Sequence, residues 1–286
     1  MAAQTSRSVV GRPAPWMRPF VEGYVGYRLV GSWTGVHRGL PSRHLTFIVS
    51  IGEPIEVLAQ VDPRQSPDRY GVVLGGLQDR AALVAVEGGQ EGVTIELTPL
   101  GCRALLGVPA RPLWNLSLEA ADVLGSAAAE LRERLHGVAG WADRFAVCDE
   151  VLGRRLHARG AGSAVAPEVR QAWRMLVASG GTVPVSAVVD EVGWSRRHLA
   201  QRFGDELGLS PKRAARIIRF DRARTMLQAP GPPSLADVAA VCGYYDQPHL
   251  TRDFVELAGC PPGEWLATEL PSVQDGERSG VAHSAP

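Results

Sequence analysis

The 286-residue chain contains 30 basic and 30 acidic residues, so any affinity for nucleic acid has to come from a local patch and not from the net charge. Its hydrophobic content of 45% and charged content of 21% are those of a globular protein, and its length is enough for two domains. No apolar run approaches the ~18 residues of a membrane span, and the N-terminus lacks a signal-peptide core, which predicts a cytoplasmic protein with no membrane partner.

The first third of the chain predicts a small β domain. Residues up to about Pro15 are small, polar and interrupted by proline, which predicts a loose N-terminal arm. Short strand-like runs separated by Gly, Pro, Asp and Ser follow at 21–29, 44–51, 55–59, 71–74, 81–86 and 93–98. In the last run Val93, Ile95 and Leu97 alternate with polar residues, as in a strand with one buried face. These runs predict a small β-barrel or a β-sandwich.

Three predicted helices come next. A short one covers 101–106, a second begins near Ser126, and a longer one covers 141–157, because its apolar residues recur at steps of three or four. The last two are amphipathic, so they either pack back on the β domain or meet a second subunit. A homodimer is therefore one possible assembly.

The second half of the chain predicts a separate helical domain. Within it, Ser210 and Pro211 supply an N-cap and a first-turn proline for a long helix that ends near residue 228. The predicted fold class is α+β, with a β N-terminal domain and its trailing helices followed by an all-α domain. The predicted boundaries are 1–158 for the N-terminal domain, 159–166 for a Gly- and Ala-rich linker, 167–268 for the helical domain and 269–286 for a disordered tail.

The segment 185–265 contains one pattern twice. In the first copy an apolar run meets Gly193 and a polar segment follows, and in the second copy the run meets Gly243. The copies superpose with an offset of 50 residues before the glycine and 51 after it, so that Phe203 matches Phe254. In each polar segment a Leu and a Phe spaced i to i+4 bury one stripe, while the polar start faces outward. Each copy therefore predicts a helix-turn-helix, whose second helix can enter the major groove of DNA.

The two copies read GWSRRHLAQRFGDELGLSPKR and GYYDQPHLTRDFVELAGCPPGEW. In spacing, glycines and the Gly-x-x-Pro ending they resemble the AraC-type transcription regulators, over about residues 166–268. The resemblance implies two motifs joined by one long helix, with recognition helices that read adjacent major grooves of double-stranded DNA. It also implies an N-terminal domain that senses a small-molecule effector or controls dimerisation. The cysteine-rich metal segment of the family's DNA-repair branch has no match, and we expect neither a metal nor a cofactor.

Positive charge is concentrated in residues 195–225. This segment holds nine basic and three acidic residues, a local excess of six positive charges in a neutral chain. Such a concentration is typical of a surface that binds phosphates, because neutralising them releases counterions. A solvated, arginine-rich helix face is the plainer alternative.

The residues predicted to contact DNA lie on the two recognition helices and on the long helix between them; they are Ser195, Arg196, Arg197, Gln201, Arg216, Gln247, His249 and Arg252. Arginine can donate two parallel hydrogen bonds to guanine, and glutamine can pair with adenine in the same way. For Arg216 we expect either phosphate contact or packing between the bundles. Ala200 and Pro248 align with base-reading positions of the family but have no donor. For His198, a structural role is expected.

A thiol-dependent enzyme fused to a DNA-binding module is the alternative from another class. Cys102 follows Gly101 at a possible helix start, where the helix dipole can lower a thiol pKa. No base is identified nearby, so a buried and inert thiol is the plainer interpretation, and we expect no catalytic site. A constitutive architectural binder without a ligand is a third possibility.

The aromatic residues of the β domain either line a ligand pocket or pack the core; they are Tyr24, Tyr27, Trp33, Phe47 and Tyr70. A closed, partly polar cavity within residues 20–100 would favour ligand sensing. A solid core would favour a dimerisation module.

Overall fold

The computed structural model describes residues 5–159 and 165–268, which form two antiparallel β-sheets followed by a series of helices. The strands are β1 (Thr5–Gly11), β2 (Val21–Val30), β3 (Thr34–Gly39), β4 (Leu45–Ser50), β5 (Ile55–Ala59), β6 (Asp68–Tyr70), β7 (Val72–Gly75), β8 (Ala82–Glu87), β9 (Gln90–Leu97) and β10 (Ser117–Glu119). The helices of the first half are α1 (Pro99–Gly101), α2 (Ala121–Leu124), α3 (Ser126–His136) and α4 (Trp141–Arg159), with a π-helical turn at Cys102–Leu106 and a 3-10 turn at Arg111–Leu113. The helices of the second half are α5 (Pro167–Ala178), α6 (Val185–Val192), α7 (Arg196–Leu207), α8 (Pro211–Leu227), α9 (Leu235–Val241), α10 (Gln247–Ala258) and α11 (Pro262–Thr268).

The strands form two open sheets, with the orders β1-β2-β9-β4-β7-β10 and β3-β8-β5-β6. The smaller sheet packs on one face of the larger one, since Ile48 of β4 and Val73 of β7 share a buried cluster with Val57 of β5. Their neighbours Phe47 and Leu74 belong to the cluster on the other face, as the alternation of side chains along a strand requires. Of the two predicted architectures, the β-sandwich is found and the closed barrel is not.

Helices α3 and α4 pack back on the larger sheet. Leu131 of α3 and Phe145 of α4 are buried in the same cluster as the sheet residues. The ring of Tyr24 on β2 stacks on Phe145 with 5.6 Å between centroids, and its hydroxyl donates to Asp149 Oδ1 at 2.8 Å. A homodimer through these helices would need a surface other than their apolar faces, because the sheet already covers them.

The second half is organised around α8. Ile218 of this helix belongs to a buried cluster that contains the first helix-turn-helix and extends into the N-terminal half. Phe220 and Leu227 belong to a second cluster, which contains the second helix-turn-helix. Because 3.6 residues make one turn, apolar residues on more than one side of α8 can serve two bundles at once.

The predicted α+β class is confirmed, and strands or helices are present in each of the segments where the sequence predicts them. The loose arm is wrong for Thr5–Gly11, which form β1 and pair with β2 along their whole length. Residues 160–164 of the predicted linker and the predicted tail at 269–286 lie outside the described residues. Among the helices of the described ranges, none is both long enough and apolar enough to cross a membrane.

Gly11 lets β1 lie directly against α4. A Cβ at this position would be 2.2 Å from Cδ2 of Phe145, whose side chain is only 4% exposed and cannot easily move aside. Gly11→Ala should therefore lower the free energy of unfolding by about 1–3 kcal/mol, the usual cost of overpacking, as measured by urea denaturation. Gly52→Ala is the control, because nothing lies within 4 Å of its Cβ position. Equal stability of the two variants would contradict this account of the β1 and α4 contact.

Candidate nucleic-acid interface and interdomain cavity

Each helix-turn-helix is built on a glycine turn. Gly193 follows α6 with a φ of 70°, and Gly243 lies in the turn after α9 with a φ of 75°. These left-handed conformations cost glycine little. The second helix of each motif then begins at an N-cap: Ser195 Oγ accepts the N–H three residues on at 3.2 Å, and Asp246 Oδ1 does the same at 2.7 Å.

Both recognition helices, α7 and α10, bury one stripe and expose the opposite face. The buried stripes are Leu199, Phe203 and Leu207 on α7 and Leu250, Phe254 and Leu257 on α10. The exposed residues predicted to contact DNA are Ser195, Arg196, Arg197 and Gln201 at the first motif and Gln247 and Arg252 on α10. The fold therefore presents these side chains to solvent at the N-terminal part of each recognition helix, where base edges would lie.

Two equivalent histidines contact the turns that precede the recognition helices. The His198 ring is edge-on to Trp194, with 4.6 Å between centroids. The His249 ring is edge-on to Tyr244 at 5.2 Å, and its Nδ1 accepts the backbone N–H of Tyr245 at 3.3 Å. With Nδ1 as an acceptor, neutral His249 carries its proton on Nε2, which is the atom left to donate to a base. A base contact by His249 stays a prediction.

The cationic segment divides into two groups of side chains. Four of its nine cations make hydrogen bonds, ion pairs or ring contacts inside the fold, and these are Arg213, Arg216, Arg219 and Arg224. The other five are exposed and make no ion pair within residues 5–159 and 165–268, and these are Arg196, Arg197, Arg202, Lys212 and Arg222. The charge available to phosphates is therefore smaller than the sequence count indicates, and three of the five available cations lie on α7.

For Arg216, the contacts support the packing role. Its Nε donates to Asp253 Oδ1 at 3.0 Å, and its terminal nitrogen also pairs with Glu256. Both carboxylates belong to α10, so the guanidinium connects the long helix to the second recognition helix. A phosphate would have to compete with two carboxylates that are already in place.

Cys102 lies in an environment opposite to that of an activated nucleophile. Its side chain is fully buried, and burial together with Glu206 raises the pKa of the thiol to about 12, against the opposing effect of Arg103. The thiolate is the nucleophilic form, so both the burial of Cys102 and its raised pKa oppose nucleophilic chemistry. The environment of Cys102 is therefore that of a buried structural thiol.

The C-terminal end of α7 is held by the N-terminal half. Arg103 donates to both carboxylate oxygens of Glu206, through Nε at 2.8 Å and a terminal nitrogen at 2.7 Å. The backbone N–H of Ala110 donates to the backbone oxygen of Glu206 at 2.8 Å, and Arg111 pairs with Asp205. The first recognition helix is thus attached at the end opposite its exposed start.

A cavity of about 1000 Å³ lies between the N-terminal half and α5. Its apolar lining includes Phe20, Leu100, Leu156, Trp173 and Val177. Its charged lining consists of Glu22, Arg43, His44, Arg170 and Arg174. Of the aromatic residues considered for a pocket in the sequence, four are packed in buried clusters instead, namely Tyr24, Tyr27, Phe47 and Tyr70, while Trp33 is half-buried. The cavity is therefore not enclosed by the β-sandwich but shared with the first helix of the second half.

An ion-pair cluster lies at the β side of this cavity. Burial alone would raise the pKa of Glu22, but the hydrogen bond from His44 and the charges of His44 and Arg43 lower it to about 2. Burial alone would lower the pKa of His44, yet its hydrogen bond with Glu22 and the charges of nearby carboxylates raise it. The distance from His44 Nε2 to Glu22 Oε2 is 2.7 Å. The cluster therefore favours a protonated His44 beside an ionised Glu22.

Comparison with known proteins finds matches for residues within the second half. A family model described as a helix-turn-helix domain matches residues 188–268. The HTH-type transcriptional regulator GbdR of Pseudomonas aeruginosa is 38% identical over 71 residues, which cover 25% of this chain. The match spans 19% of the length of that relative, so it concerns the helix-turn-helix region alone.

Solved structures of ToxT from Vibrio cholerae resemble the whole chain. One covers 93% of this chain and 99% of its own, with a TM-score of 0.52 and 12% identity. A second, bound to (E)-4-(8-methylnaphthalen-1-yl)but-3-enoic acid, covers 92% and 99% with a TM-score of 0.50 and 13% identity. A third, with an unsaturated fatty acid bound, covers 96% and 100% with a TM-score of 0.50 and 11% identity. At these identities the similarity shows a shared two-part fold.

We predict that Arg252 reads a base edge. It is exposed on α10 and makes no ion pair within the described residues, so its guanidinium is available to a guanine. Arg252→Ala should reduce the preference for a selected duplex over random DNA by about 1–3 kcal/mol, the value of one bidentate base contact. Fluorescence anisotropy titrations on both duplexes measure this preference. Arg64→Ala, which removes an 88% exposed arginine from the N-terminal half, should leave it unchanged. An unchanged preference for Arg252→Ala would disprove the assignment.

A second prediction concerns the pH dependence of the His44 and Glu22 pair. Folding raises the pKa of His44, so protonation of this residue stabilises the folded state. The stabilisation is fully present below the unfolded pKa of about 6.5. It is lost as the pH rises through the folded pKa. The Tm difference between the wild type and His44→Gln should therefore be largest near pH 6 and should shrink towards pH 9. Differential scanning fluorimetry gives this difference, with exposed His136→Gln as the control for loss of an imidazole. A difference that grows with pH would show that the sign is wrong.

Proposed function

We propose that this chain, whose residues 188–268 form an AraC-type helix-turn-helix domain, is a sequence-specific DNA-binding transcription regulator that acts in the cytoplasm. The observation that carries the proposal is the repeated motif: two capped recognition helices expose arginine and glutamine at their N-terminal parts. Exposed arginine and glutamine side chains that make no ion pair within the described residues are well suited to guanine and adenine edges. The helices would read adjacent major grooves, with base contacts from Arg197, Gln201, Gln247 and Arg252.

The two halves of the fold would have separate roles. Residues 1–158 would form the regulatory domain and 167–268 the DNA-binding domain, connected by 159–166. The cations left exposed on α7 and α8 would supply the phosphate contacts, since a binding surface needs charges that are not already paired within the fold.

The effector we propose is an apolar carboxylic acid that occupies the interdomain cavity. The lining supports this, because apolar side chains surround most of the space while Arg170 and Arg174 can pair with a carboxylate. The compounds bound in the ToxT structures, a fatty acid and an aryl-substituted butenoic acid, are also apolar carboxylic acids. A β-sandwich that only mediated dimerisation would not require such a space.

The route from cavity to DNA would run through α5 and α7. Trp173 of α5 lines the cavity and also lies against Phe203 of the first recognition helix, with 6.3 Å between ring centroids. The Arg103 and Glu206 pair holds the far end of the same helix. A ligand that shifted α5 relative to the sandwich would therefore act on the first recognition helix more directly than on the second.

One experiment tests both parts of the proposal. The full chain is used to select duplexes from a randomised library, and anisotropy titrations then compare a selected duplex with random DNA, with and without oleate. Specific affinities typically exceed non-specific ones by about 10³-fold or more, and we expect a preference of that order. Oleate should change the affinity for the selected duplex several-fold, while oleyl alcohol, which lacks the carboxylate, should not.

The two parts of the proposal fail in different ways. No enrichment of any sequence would contradict the regulator itself. Enrichment with equal affinities in oleate, oleyl alcohol and buffer would contradict the carboxylic-acid effector only. Loss of the oleate response in Arg170→Ala/Arg174→Ala, with DNA binding retained, would support the cavity as its site.

A further inference from the structure

Asp253 occupies an unusual position in the second recognition helix. It lies within the buried stripe of α10, between Leu250 and Leu257, and is only 5% exposed. An acidic residue in such a stripe has to be paired, because an isolated buried carboxylate is costly. At the equivalent position, 51 residues earlier, the first recognition helix has the exposed basic residue Arg202, and the buried stripe of that helix contains no acid. The two motifs therefore differ in how their recognition helices are attached.

The partner of Asp253 comes from α8, 37 residues earlier in the chain. Arg216 approaches Oδ1 with Nε at 3.0 Å and with a terminal nitrogen at 2.9 Å, so two donors of one planar fork converge on one oxygen. The same guanidinium also pairs with Glu256, which lies about one turn after Asp253 on α10. A planar guanidinium held by two carboxylates on one helix has little rotational freedom.

The apolar contacts between α8 and α10 are less directional. The rings of Phe220 and Phe254 are tilted at 56° with 4.8 Å between centroids. Aromatic contacts of this kind tolerate sliding and rotation better than a forked hydrogen-bonded pair does. Burial of the Phe pair therefore stabilises the contact, while the ion pair restricts its geometry.

A second polar side chain of α8 contacts the segment that precedes the first motif. Arg219, one turn along α8 from Arg216, donates to the backbone oxygen of Gly181 at 3.0 Å, and Gly181 follows α5. Its guanidinium also lies 5.7 Å from the ring centroid of Tyr244, in the turn before α10. The polar side chains of α8 thus contact both bundles, and Arg216 supplies the contact to the second recognition helix itself.

We infer that Arg216 and Asp253 are positioning residues that set the orientation of α10 on α8, and with it the spacing between the two base clusters that the protein accepts on DNA. The inference rests on the proposed DNA-binding function and goes beyond it. Buried ion pairs contribute little net stability compared with apolar residues of similar volume, but they restrict geometry. The pair should therefore affect the accepted spacing more than it affects folding.

The test separates positioning from stability by replacing the whole pair. Arg216→Met/Asp253→Leu removes both charges and leaves Glu256, which is 64% exposed, to solvent. It should fold with a Tm close to or above that of the wild type, since no buried charge is left unpaired. The DNA probes are the duplex selected by the wild type and derivatives with one base pair inserted or deleted between its two base clusters. Arg134→Gln/Glu150→Gln, which removes an ion pair between α3 and α4, is the matched control.

We expect the wild type and the control to lose on the order of tenfold in affinity for each one-base-pair change, comparable to the effect of a mismatched base pair. The double variant should lose no more than about threefold, because α10 can then adjust its orientation.

A folded double variant with the same spacing preference as the wild type would overturn the inference. If the double variant does not fold, Arg216→Lys, which keeps the charge but loses the planar fork, should still show a broadened preference, and an unchanged one would overturn the inference too. Failure of the wild type to select any duplex would instead contradict the proposed function.

Discussion

The shared packing of both helix-turn-helix units on α8 is the constraint on which the rest of the structure depends. Ile218 and Phe220, two residues apart, belong to different buried clusters, so one helix supports both recognition helices. The start of α8 is defined by the Ser210 cap, whose hydroxyl accepts the N–H of Arg213 at 3.3 Å, and by Pro211 in the first turn. Any bend or slide of α8 would therefore change the distance between the exposed faces of the two recognition helices.

The N-terminal half is attached to this unit unequally. It contacts the first motif through the Arg103 and Glu206 pair, and it shares a cavity wall with α5. It also contacts the second cluster, because Leu40 of the β half is buried there. A ligand between the sandwich and α5 would act first on the recognition helix that Trp173 touches, and its influence on α10 would have to pass through α8 or through the Leu40 contact. This arrangement would give the proposed effector a physical route to the recognition helices without requiring it to lie near the DNA.

Local signals in the sequence account for most of what could be predicted. Caps, first-turn prolines and i to i+4 stripes act within a few residues, so they predicted α7, α8 and α10 closely. Strand β1 is not predicted from the sequence because its stability comes from pairing with another strand. The strands β6 and β10 are too short to show an alternation of polar and apolar residues. The charge excess was misleading for a similar reason: the partners of Arg213 and Arg216 lie far away in the chain, and no periodicity reveals them. The cavity requires the relative placement of two domains, which no local pattern encodes.

Two recognition helices on one chain should contact DNA together. Hydroxyl-radical footprinting of the full chain on a selected duplex tests it most directly, because the method maps backbone protection at single-nucleotide resolution. Two recognition helices in adjacent major grooves should give two protected patches on one face of the duplex, separated by about one helical turn, or roughly 10 base pairs. A single protected patch, or uniform weak protection without boundaries, would contradict the account.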